Sequence, residues 1–125
     1  MVTGEIFEMK KALIGFIILL IVLALLFIPV IHTEYITHMY YDEFSDFLYS
    51  HELPIHAERF KIIDHSDDEA TVYFYTPYVS GDILCFTKHE GCWSYTSWET
   101  YWSYSGSADK LVWPYWWHII YFLVK

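Results

Sequence analysis

The chain is short of positive charge, and that shortage excludes several partners at once. Lys and Arg number 7 against 16 Asp and Glu, a formal net charge of -9. Beyond residue 32 the only bases are Arg59, Lys61, Lys88, Lys110 and Lys125, whereas all the acids except Glu5 and Glu8 lie there. A surface of that sign suits neither nucleic acid nor anionic headgroups, both of which demand basic patches. Cysteine is nearly absent: Cys85 and Cys92 are the only two, and without a CxxC spacing they make no metal ribbon. Glycine is scarce, and Gly106 stands alone where a phosphate cradle would need several. Ser107 is not framed by G-x-S-x-G, and the seven histidines show neither an i,i+4 helical pair nor a short tandem. No catalytic motif and no cofactor site is therefore expected.

What is present in quantity is apolar surface. From Ala12 to Ile31, 20 residues pass without an ionisable side chain. As a helix at about 1.5 Å per residue the run is roughly 30 Å long, the thickness of a bilayer's hydrocarbon core. Lys10-Lys11 precede it, and Glu34, Asp42, Glu43 and Asp46 follow. Positive charge stays cytoplasmic, so the expectation is a single-pass cell-membrane protein with its N-terminus inside and residues 32–125 outside. A cleaved signal peptide competes with a retained anchor, but Val22-Leu23-Ala24, the one passable cleavage site, lies inside the apolar run. Two alternatives stand for residues 1–8. They form a short cytoplasmic tail, or translation starts at Met9 in a bacterial manner, with Gly4-Glu5 encoding a purine-rich ribosome-binding site.

The expected fold is α+β, with a transmembrane helix over 12–31, a linker helix over 32–53 and an antiparallel domain over 54–125. Thr33 offers an N-cap and Glu34 suits a first turn. Ile36, Met39, Tyr40, Phe44 and Phe47 then share one helical face, with Glu43 among them facing Arg59 as its natural cation. Strands are expected over 55–64, 70–76, 83–89, 92–104 and 111–124, about five in all, with the amphipathic helix packed on a curled sheet. Ser66-Asp67-Asp68, Ser80-Gly81-Asp82 and Glu90-Gly91 supply turn chemistry. For the cysteines two geometries compete. A tight Glu90-Gly91 hairpin sets Cys85 and Cys92 several residues apart, whereas a loop over 86–91 brings them opposite for a disulfide.

The strongest local signal is aromatic. The six tryptophans all fall between Trp93 and Trp117: Trp93, Trp98, Trp102, Trp113, Trp116 and Trp117. Strict alternation along 92–104 places Trp93, Tyr95 and Tyr101 on one side and Trp98, Trp102 and Tyr104 on the other. One side can cover the core, and the other would be an exposed aromatic surface of the kind that binds partners. A membrane interface, another envelope protein or a cell-surface glycan would suit it. The leading expectation is thus a non-catalytic binding or accessory module. The alternative is a small extracytoplasmic metal-binding protein or hydrolase built on His65, Asp67 and Asp68.

Overall fold

The computed structural model describes residues 2–50, 53–105 and 109–119. One helix, α1 (Val2–Met39), runs unbroken through the apolar stretch and past Pro29. At about 1.5 Å per residue it is roughly 57 Å long, more than a membrane requires. Its apolar window is long enough to cross a bilayer, and none of it is buried against the rest of the protein. Leu13, Phe16, Ile21, Leu25 and Ile28 are all exposed on its flanks. By length and composition this helix can cross a membrane, and its exposed apolar flanks set it apart from a helix buried in a core.

The helix expected to begin at Thr33 is continuous with the apolar run. Thr33 is no N-cap: its Oγ1 donates to the Pro29 carbonyl at 2.9 Å and sits mid-helix, 3% exposed. The helix ends instead at Met39, and a single turn, α2 (Tyr41–Phe44), leads into a 3-10 turn at Ser45–Leu48. These short turns cross one face of an antiparallel sheet of four strands in the order β1 (Arg59–His65), β2 (Glu69–Thr76), β3 (Ser80–His89) and β4 (Cys92–Ser103). The expected fifth strand is absent from the described part of 111–124. A single bridge joins Trp102 to Asp109, then the chain turns at Trp113-Pro114 and enters a 3-10 turn at Trp116–Ile119. Pro114 has no N–H to give a ladder, which is why the apolar run there does not pair.

The sheet separates two cores. On the helix side Phe60, Ile62, Val72, Phe74, Leu84 and Phe86 pack around Phe44, which is 0% exposed. On the other side Tyr73, Ile83 and Trp102 are covered by Val112 and Tyr115, with Val30 of α1 packed against them. Glu90-Gly91 forms the expected tight hairpin, with φ of 53° and 80° and His89 opposite Cys92. The β2–β3 turn lies three residues earlier than expected. Thr76 pairs with Ser80, so Ser80 and Gly81 belong to β3, and Pro77-Tyr78-Val79 makes the bend. Gly81 is required by close approach, since a Cβ there would lie 2.1 Å from the Trp102 indole nitrogen.

The junction between α1 and the sheet is specific. β1 is an edge strand, and α1 runs alongside it. The Ile62 N–H, pointing away from β2, donates to Thr37 Oγ1 at 2.8 Å, and Thr37 in turn donates to the Thr33 carbonyl at 2.7 Å. Replacing Thr37 by Val keeps the shape but leaves the buried Ile62 amide without its acceptor. Thr37→Val is expected to destabilise the domain by about 1–3 kcal/mol. Denaturation of the full chain in micelles measures that loss, and faster hydrogen exchange at the Ile62 amide localises it.

Candidate functional site

Two β-bulges in β4 redistribute the aromatic residues. Leu84 pairs with Trp98 and Cys85 with Ser97, but Phe86 pairs with Tyr95, leaving Thr96 as an extra residue. A second irregularity sets Asp82 opposite Thr100 and Gly81 opposite Trp102, with Tyr101 between. Each extra residue reverses the alternation that follows it. Trp93, Tyr95 and Trp98 consequently share the helix-side face, while Trp102 turns to the opposite core. The expected division of these side chains is corrected on that point. Trp93 is half-buried against the helix-side core and Trp102 is 1% exposed, its Nε1 donating to the Tyr73 hydroxyl at 2.7 Å. Tyr95 and Trp98, farther out on the edge strand, are 38% and 46% exposed. In the C-terminal segment Trp113 is exposed, whereas Trp116 and Trp117 are half-buried, and Trp117 stands edge-on to Tyr115. The six tryptophans therefore do not form one surface.

His65 does not join Asp67 and Asp68. Its ring stacks on Tyr40 at 3.7 Å and 5°, and its side chain is 9% exposed beside Glu43. Asp67 and Asp68 stay in the exposed turn, where the Ser66 hydroxyl donates to Asp68. Among the described residues no group of three His, Cys, Asp or Glu side chains is arranged to hold a metal ion. The two cysteines are free, Cys85 half-buried opposite Ser97 and Cys92 exposed opposite His89. The tight hairpin has prevailed over the disulfide geometry. Glu43 does not meet Arg59 either. Its Oε1 accepts from the Trp93 indole at 2.8 Å and lies 3.4 Å from His65 Nε2.

Several concavities flank the sheet. A cleft of about 500 Å³ opens between the 3-10 turn and the β3–β4 hairpin, lined by Glu43, Asp46, Phe47, Lys88, Cys92 and Trp93. Lys88 Nζ lies 5.5 Å over the Trp93 ring, so the wall facing the carboxylates is a cation held on an indole. A smaller hollow of about 180 Å³ lies beside α1. There Glu34 binds Lys61 Nζ at 2.9 Å and accepts from the Tyr115 hydroxyl at 2.8 Å. Burial and then the Glu34 carboxylate push the Tyr115 phenol far above its ordinary range, so it remains a donor at every working pH. Among the described residues neither hollow pairs a nucleophile with a hydrogen-bonded base. The Glu34, Glu43 and Tyr73 acceptors could not have been assigned from spacing, since each partner lies more than twenty residues away.

Comparison with protein-family models, with curated proteins and with solved structures finds no match. The class is set by the fold alone: a four-stranded α+β domain fastened to one long apolar helix.

Among the described residues Asp82 is the one buried carboxylate, 5% exposed and accepting from Thr100 at 2.5 Å. Burial raises its pKa, and the Thr100 hydrogen bond only partly opposes this. An acid whose folded pKa is raised binds its proton more tightly when folded. Its contribution to stability is therefore fully present below the unfolded pKa and falls as pH rises through the folded one. Asp82→Asn is expected to raise the melting temperature at pH 7, with the difference shrinking as pH falls through the raised folded pKa toward about 4 and constant below that. Calorimetry across that range measures it.

Proposed function

We propose that this is a single-pass membrane protein with a cytoplasmic N-terminus, whose outward-facing domain is a non-catalytic binding module for another envelope protein. The length and bareness of α1 support the anchor, and Lys10-Lys11 before the span against the acids after it support the orientation. The observation that carries the binding role is the pair Tyr95 and Trp98, large aromatics left exposed on the outermost strand while the domain buries comparable rings elsewhere. Such side chains offer wide contact area at low entropic cost and dominate protein interfaces. Ser94, Thr96 and Ser97 around them are exposed and supply adaptable hydrogen bonding.

A photoreactive phenylalanine placed at position 95 or 98 in intact cells is expected to give the same discrete adduct, absent from position 67. Trp98→Ala should reduce recovery of that adduct from position 95 by about tenfold or more. A glycosidase-sensitive adduct would replace the protein partner by a glycan, and no adduct from either position would overturn the binding role.

A further inference from the structure

We propose that the domain is seated on the lipid surface, with the β2–β3 turn at Tyr78-Val79 and the adjoining Tyr104 lying in the headgroup interface of the membrane that α1 crosses. This rests on the reading of α1 as a spanning helix and goes beyond it, because a tether alone would leave the domain free to stand off.

The level of each residue follows from the junction. Glu34 meets Lys61, Thr37 meets Ile62 and Tyr40 stacks on His65, so β1 runs beside α1 and in the same direction, away from the membrane. Arg59 pairs with Tyr75 and lies two residues back from Lys61, about 7 Å nearer the membrane at roughly 3.3 Å per residue. That is the rise of about four to five helical residues, which sets Tyr75 level with Val30. An independent contact agrees: Val30 packs against the cluster that holds Tyr73, Tyr75 and Trp102. The chain continues beyond Tyr75 in the same direction, through the Thr76–Ser80 pair to the turn. Tyr78 and Val79 therefore reach the level of the last apolar turn of α1.

What the turn presents there is apolar and aromatic. Tyr78 is 66% exposed and Val79 54%, and Tyr104, whose N–H donates to the Val79 carbonyl at 2.7 Å, is 50% exposed. Tyr78 holds φ of 65°, a left-handed conformation that ordinarily selects Gly or Asn, so a bulky ring stands at the bend at a cost in backbone energy. Tyrosine rings are favoured at headgroup depth. Charge is distributed to match. Asp64, Asp67, Asp68, Glu69 and Glu90 lie in or beside the two turns at the opposite end of the sheet, while the membrane end balances its acids, Arg59 standing beside Glu58 and Lys110 beside Asp109.

The test uses the full chain with Cys85→Ser and Cys92→Ser, reconstituted in phosphatidylcholine vesicles. A single cysteine bearing an environment-sensitive nitrobenzoxadiazole label is introduced as Val79→Cys, Tyr104→Cys, Asp67→Cys or Ile21→Cys. Nitroxide placed near the headgroup end of the lipid chains should quench the labels at 79 and 104 about twofold and leave 67 unchanged, whereas deep nitroxide should quench 21. Quenching at 21 with 79 and 104 as unresponsive as 67 overturns the seating and leaves the anchor standing. Absence of quenching at 21 overturns the anchor, and the seating with it.

Discussion

The structure depends on one hydroxyl between a helix and a strand. An edge strand exposes a row of unpaired backbone groups, and β1 would be such an edge if α1 did not lie along it. Thr37 is short enough to let the helix approach and polar enough to satisfy the Ile62 amide, while its own proton goes back to the Thr33 carbonyl. Val30, Glu34 and Thr37 fall on one stripe of α1 at spacings of four and three. The stripe contributes an apolar contact, an ion pair with a phenol donor, and an acceptor for β1. Because α1 does not break before reaching the sheet, these contacts orient the whole domain with respect to the span.

The same principle governs the two cores. Aromatics with polar tips border the helix-side core at Trp93 and make up much of the other at Tyr73, Trp102 and Tyr115, and a buried indole or phenol costs free energy unless its donor is used. Trp93 donates to Glu43, Trp102 to Tyr73 and Tyr115 to Glu34. Part of the acidic excess thus serves as acceptors for aromatic donors rather than as partners for cations. Lys61 is the exception that shares Glu34 with Tyr115.

The features carried by local chemistry were legible in the chain itself: the apolar span by its length, the hairpin by Glu90-Gly91, and the central strands by their β-branched and aromatic runs. Features decided by register were not. The bulges at Thr96 and Tyr101 leave no mark in composition, yet each moves every following side chain across the sheet: the first brings Trp98 to the side of Trp93 and Tyr95, and the second parts it from Trp102. Thr33 has the identity of a cap and the position of a mid-helix residue, because β1 rewards continuing the helix past it. Likewise Glu43 looks destined for a cation until Trp93, fifty residues away, supplies a donor instead.

The junction also limits what reaches the exposed edge of the domain. Trp98 pairs with Leu84, which pairs with Val72 opposite Ile62, and Ile62 is level with Thr37. Thr37 stands six residues past the end of the apolar run, about 9 Å along the helix. On the proposed reading of α1 as a membrane span, the aromatic pair on β4 is held close to the bilayer by a short rigid post rather than presented on a flexible stalk. A partner confined to the same membrane meets it at a high effective concentration, so a modest patch suffices where a freely diffusing partner would need a larger one. Two exposed rings on an otherwise polar strand fit that requirement, and they favour a partner that is itself anchored.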